Sequence, residues 1–239
     1  MKTREFLKRY AYIYLYAVCI CLLVSYFIGG RIASVHSPQH FTRRPTLIID
    51  AGHGGIDGGT TSCTGVRESQ FNLEIAQKLE KLMRIMGYRT VMVRTEDTSV
   101  ATEGNTIREE KRSDLRNRVN LVRQTENPLY ISIHQNFYPE SRYSGPQVFF
   151  GSAGDSKTLA TQMQSNMNHV LTSSSNRSCK KSSGVYIMEH IDCTGVLIEC
   201  GFLSNPEEER KLRTPEYQKK VSGVIAATLA DYIEQSAVA

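Results

Sequence analysis

No C-x-x-C pair occurs in the 239 residues of this chain, which removes the usual ligand spacing of a structural zinc knuckle. Of six cysteines, Cys19 and Cys21 fall in an apolar run near the N-terminus, leaving Cys63, Cys179, Cys193 and Cys200 for the remainder. Outside a cell these four could supply one disulfide, with free buried thiols an equal alternative. Excess positive charge is also missing where it would matter. The formal net charge is +5, yet residues 1–40 hold five Lys/Arg and one Glu, so the rest carries 24 basic and 23 acidic residues. That near balance removes the overall positive excess that would point to a nucleic-acid partner, and none is expected. Internal repeats are absent, and nothing marks a second globular domain.

The N-terminus has what the rest lacks. Lys2, Arg4, Lys8 and Arg9 precede 19 uncharged residues from Tyr10 to Ile28. Crossing a bilayer takes about 20 mostly apolar residues, whereas the core of a signal peptide has roughly 7–15. With no A-x-A cleavage site behind the run, residues 1–29 are expected to be a membrane anchor in preference to a cleaved signal. The basic end should stay cytoplasmic and the remainder should lie outside. Residues 30–45, polar and ending in Pro45, read as a tether, which leaves 46–239 as the globular domain.

Strand and helix patterns alternate through that domain. Strands are expected over 46–50, 88–94, 128–134, 146–152 and 194–199, with a weaker one at Tyr186–Met188. Apolar residues at helical spacing mark a helix over 69–86, stopped by Gly87, and a second around Leu115, Val119 and Val122. Further helices are expected over 156–171 and from Pro215 onward. The alternation predicts a three-layer α/β/α sandwich with a mostly parallel sheet.

Candidate chemistry begins at "LIIDAGHGGIDGGTT", Leu47–Thr61. A dinucleotide loop needs a third glycine where Asp57 stands, and a P-loop needs lysine where Thr60 stands. A metal loop fits better. His53 follows the first strand, Glu68 opens the first helix, His134 ends the third strand and Glu199 ends the strand 194–199. In an open parallel sheet the carboxyl ends of strands share one rim, where ligand sites form. Two imidazoles and a carboxylate, with a fourth position for water, make a catalytic zinc set. Taken singly, each residue has an ordinary reading as a surface histidine or a helix-start acid. Their joint placement carries the inference. Arg94, Asn136 and the loops 138–146 and 172–184 are weaker substrate-binding candidates, for which structural support is the better reading.

The motifs "IIDAGHGG", "ESQFNLEIAQKL", "TVMVRTED", "DLRNRVNLV", "YISIHQN" and "VLIECGFLSN" occur in an order that resembles the zinc-dependent N-acetylmuramoyl-L-alanine amidases of the Amidase_3 type. The resemblance spans about 46–235. It implies that His53, Glu68 and His134 bind Zn²⁺ and that Glu199 is the catalytic glutamate. Ala51 and Gln135 depart from common family choices without touching a ligand position. The anchor, the lack of wall-binding repeats and the insert "ATEGNTIREEKRSD" (101–114) are similar to the germination-specific, spore-cortex members. That likeness implies a peptidoglycan substrate, preparation of muramic-δ-lactam, action on the outer face of the membrane or in the cortex, and an activating or localising protein partner. Two other classes fit the same residues: a zinc peptidase or carboxypeptidase on a similar frame, and an anchored binding module without turnover.

Overall fold

The computed structural model describes residues 44–172 and 176–238, with the isolated positions Val18 and Ile20. The expected anchor (1–29), those two positions apart, and nearly all of the expected tether (30–45) lie outside the described residues. Among the described residues no helix is long and apolar enough to cross a membrane.

Six strands form one sheet in the order β2-β1-β3-β6-β4-β5. They are β1 (Thr46–Ala51), β2 (Thr90–Met92), β3 (Pro128–Asn136), β4 (Gln147–Phe150), β5 (Lys180–Lys181) and β6 (Gly195–Phe202). The helices are α1 (Glu68–Ile85), α2 (Ile107–Gln124), α3 (Ser156–Leu171), α4 (Tyr186–His190), α5 (Pro206–Leu212) and α6 (Pro215–Val238).

Alternating side chains divide the core in two. Leu47, Ile49, Ile131 and Ile133 face α1, α3 and α6, where they meet Ile75, Leu79, Met163 and Ile225. Ile48, Tyr130 and Leu197 face the opposite way, toward Val119 and Val122 of α2 and Ile187 of α4. Helices therefore cover both faces of an α/β sheet. Local signals bound the two helices nearest the rim. Gly87, at φ 83°, ends α1 with its N–H on Arg84 O, while the Tyr88 N–H reaches Met83 O (both 3.0 Å). This pair of bonds is a Schellman motif, which favours glycine at the left-handed position. At the start of α2, Thr106 and Glu109 exchange side-chain and backbone bonds in a capping box.

The structure corrects several expectations. The sheet is mostly parallel as expected, since β2, β1, β3 and β6 run parallel and β5 pairs parallel with β4, but it is mixed at one pairing among the described residues, β4 antiparallel to β6. A parallel return needs a crossover of a dozen or more residues, usually helical; the 137–146 link contains no helix. Tyr186–Met188 is not a strand but the first part of helix α4. Three apolar residues do not separate the two states, and here Ile187 and Met188 bury against α2 while Tyr186 O meets His190 Nδ1 at 2.7 Å. Helix α5 was not expected, although Asn205 caps it through Glu207 N and Glu208 N and Pro206 opens it. The 101–114 insert is half helix, because α2 begins within it at Ile107.

Ile131 lies fully buried in the middle of β3. Ile131→Ala should lower the free energy of unfolding by about 2–5 kcal/mol, read as a shifted urea midpoint. An unchanged midpoint would contradict the placement of the core.

Candidate metal centre

β1 leads directly into the site. Its ladder continues one step to Gly52, whose N–H donates to Ile133 O at 3.0 Å. His53 then turns into the left-handed region, at φ 61°. A non-glycine residue there costs roughly 1 kcal/mol or more and persists only where its surroundings impose it. Two buried arginines impose it here. Arg94 donates from Nε to Ala51 O (2.8 Å) and from Nη2 to Gly52 O (3.0 Å) and Ser69 O (2.8 Å). From the other face Arg118 reaches Ala51 O (3.2 Å) and His53 O (2.8 Å). Arg118 is itself held by Asp50, which Tyr130 also contacts through its hydroxyl, and by Asp114. Both guanidiniums belong to quoted sequence motifs; structural support is the expected role of Arg94, whereas Arg118 had no role legible in its motif.

The loop delivers His53 against Glu68 and His134. One donor atom from each of the three lies within 4.8 Å of the others. His53 Nε2 is 3.3 Å from Glu68 Oε2, and His134 Nδ1 is 2.9 Å from Glu68 Oε1. The two rings meet edge to face, with centroids 4.9 Å apart. Two donors bound at about 2.1 Å to a tetrahedral zinc lie about 3.4 Å apart, so the spacing suits that ion. Glu68 is steadied by the N–H groups of Thr60 (3.1 Å) and Gln135 (3.1 Å) and by Asn72 Nδ2 (3.3 Å). The Gln135 N–H is adjacent to a register shift between His134 and Asn136 in the pairing of β3 with β6. Behind His53, Asp57 Oδ2 meets Nδ1 at 3.0 Å. A carboxylate on the far nitrogen of a metal-facing imidazole fixes the ring and its tautomer.

Charge at this point favours a cation. Burial opposes a charged His53, but hydrogen bonds to Asp57 and Glu68 outweigh it and raise the imidazole to about 9. Burial likewise opposes ionisation of Glu68, and the bonds to His134 and His53 hold it well below the usual carboxylate range. Two carboxylates thus stabilise positive charge between the rings, which a divalent ion would supply.

Glu199 completes the group. It pairs in register with His134 across β3 and β6, so both side chains emerge on the same sheet face. Cys200, the next residue, points into the opposite core and is fully buried, as the strand alternation predicts. Burial pushes the Glu199 carboxyl up to about 7, with His134 pulling it down, Glu68 pushing it up and His53 pulling it down. Its Oε2 is shielded from solvent and has no hydrogen-bond partner among the described residues. An orphaned buried oxygen beside three convergent donors fits a site built to receive an ion and a water. His53, His134 and Glu199 line one cleft of about 290 Å³, floored by Ser132 and walled by Lys111 and Tyr186.

The weaker candidates resolve differently. Arg94 is a structural clamp, and the Asn136 carbonyl accepts from Leu203 N at 2.8 Å. Cys63, Cys179, Cys193 and Cys200 are all free. Asp57, noted in the sequence only as standing where a dinucleotide loop needs glycine, is the functional residue the sequence reading lacks; its place four after His53 in a tight glycine turn is the available signal. The glycines clear room for rings rather than for phosphates. A Cβ on Gly52 would lie 2.1 Å from His134 Nε2, and one on Gly59 would lie 2.6 Å from Glu68 Oε2. Gly52→Ala should therefore weaken zinc binding about 10–100-fold in a chelator competition, with an unchanged far-UV spectrum. Unaltered affinity would show that His134 does not face the ion as described.

Comparison with known proteins agrees with this geometry. The family described as Amidase_3, N-acetylmuramoyl-L-alanine amidase, matches residues 47–231. The chain is 36% identical over 191 residues to the germination-specific N-acetylmuramoyl-L-alanine amidase of Bacillus subtilis (strain 168), covering 79% of this chain and 80% of that protein. The CwlD amidase from Clostridioides difficile, solved in complex with the GerS lipoprotein, superposes with a TM-score of 0.76 at 34% identity, over 80% of this chain and 98% of that one. An N-acetylmuramoyl-L-alanine amidase from Clostridium difficile 630 gives 0.69 at 28% identity, over 80% and 98%. With most of the described chain matched in sequence and in fold, the protein belongs to the Amidase_3 family of N-acetylmuramoyl-L-alanine amidases.

Proposed function

We propose that His53, Glu68 and His134 hold a zinc ion and that Glu199 is the catalytic acid–base of an amidase working on spore-cortex peptidoglycan. The observation that carries the reading is the shielded, unpartnered Oε2 of Glu199 beside three convergent donors. The bond broken is the amide joining the lactyl group of N-acetylmuramic acid to L-alanine, and the intact stem peptide leaves.

When bound, zinc supplies Lewis acidity, lowering the pKa of a coordinated water and polarising the scissile carbonyl. The chain's own residues do the rest. Glu199 accepts a proton from the attacking water and delivers it to the alanine nitrogen as the C–N bond breaks. A carboxyl poised near neutrality suits both directions of that transfer. Asp57 keeps His53 Nε2 turned toward the ion, and Arg94 and Arg118 keep the loop from relaxing out of its left-handed turn.

The cortex assignment draws on likeness to the germination-specific relative and the CwlD amidase. It implies removal of peptides on the way to muramic-δ-lactam, outside the cytoplasmic membrane. Residues 1–29 would hold the enzyme there as an anchor, with 30–45 as the tether. A protein partner would aid placement or activation, by analogy with the complex formed by that CwlD amidase.

Glu199→Gln should keep zinc and fold but lose turnover by about 10²–10⁴-fold. Mass spectrometry of digested peptidoglycan is the readout; normal release of peptides beginning with L-alanine would remove Glu199 from its role. His53→Ala and His134→Ala should each lower zinc stoichiometry, and unchanged metal content would sink the ligand set. Full activity and zinc loading of the purified domain alone would count against an activating partner.

A further inference from the structure

The cleft contains one charged group that the reaction above does not use. Lys111 sits in the first turns of α2, within the insert 101–114, and its side chain lines the cleft wall beside His53 and Glu199. Among the described residues its ammonium meets a single partner, Asp57 Oδ2 at 3.0 Å, and the side chain is half exposed. An ammonium has three N–H donors, so two remain free of protein partners on a side chain that lines the cleft. Arg118, the other permanent cation in the lining, has none to spare. Its donors are taken by Asp50, Asp114, Ala51 O and His53 O.

We infer that Lys111 is a specificity residue that binds a carboxylate on the stem peptide, one residue beyond the alanine; this rests on the amidase reading above. Reach supports the assignment. Lys111 Nζ and His53 Nδ1 each lie 3.0 Å from the same Asp57 oxygen, so the ammonium stands one carboxylate away from a metal-facing ring. Two residues of extended chain span roughly 7 Å, which carries a substrate from the scissile amide past that ring. Charge supports it as well. Asp50, Asp57, Asp114 and Glu199 line the cleft with Arg118, and because Arg118 spends its donors on Asp50, Asp114 and two carbonyls, Lys111 is the permanent cation there with donors left for an incoming carboxylate. Asp57 then has two tasks, orienting His53 on one side and holding the lysine head at the wall on the other.

The test uses two muramoyl tripeptides whose second residue is acidic and joined to the third through its side-chain carboxyl, differing only in whether its α-carboxyl is free or a carboxamide. The full-length wild-type enzyme, zinc-loaded, should prefer the carboxylate by about tenfold in kcat/KM, mostly through KM, as expected for one charge-assisted hydrogen bond. Lys111→Met should abolish that preference, and Lys111→Arg should restore most of it. Zinc content is measured on each variant. A carboxylate preference that survives in Lys111→Met would overturn the inference. So would a fall in zinc that tracks equal losses on both substrates, since the lysine would then act through Asp57 on the metal. Failure of the wild type to cleave either substrate at the muramoyl–alanine bond would overturn the amidase reading, and this inference with it.

Discussion

Two guanidinium groups gripping the carbonyls of one turn hold this site together. Arg94 and Arg118 approach Ala51, Gly52 and His53 from opposite sides, and both donate to the Ala51 carbonyl. Without them the left-handed His53 would be a local strain with nothing to balance it. Burying two cations next to each other is costly; the carbonyl dipoles, Asp50 and Asp114 offset that cost. The clamp converts the end of a strand, usually a place of fraying, into a rigid mount for the His53 ring, which we propose faces a metal ion.

The sheet sets the rest of the geometry. Parallel β1, β3 and β6 end at a common rim, and register places His134 level with Glu199. Helix α1 begins at that rim and brings Glu68 in its first turn. A carboxylate there is also favoured by the helix dipole, so the local preference and the chemistry agree. The cleft lies on the face covered by α2 and α4, two elements that contribute walls rather than reacting groups.

Much of this was legible in the sequence, for reasons that can be named. His53, Glu68, His134 and Glu199 each stand at the end of a strand or the start of a helix, and strand ends in a parallel sheet converge whatever the loops do. The helix 156–171 was bounded correctly because its apolar residues keep a single period. Structural support is the better sequence reading of Arg94 and it holds, but its partners, and any role for Arg118, were not legible, since backbone carbonyls are brought near by the fold alone. The reversal of β4 was hidden by attention to alternation, although the helix-free link before it argued against a parallel return. Helix α5 carried clear end signals in Asn205 and Pro206 and was passed over because its apolar stripe is so short.

The register shift in β3 has a further consequence. A strand in the middle of a sheet normally commits each N–H to a neighbouring strand, but at Gln135 the donor turns to Glu68 instead. One backbone group thereby links the length of a strand to the pose of a carboxylate 67 positions away in the chain. Adding or removing a residue between His134 and Asn136 would leave His134 in its register but displace the Gln135 N–H and untie the carboxylate. Loops elsewhere in the molecule can change length; these three positions cannot.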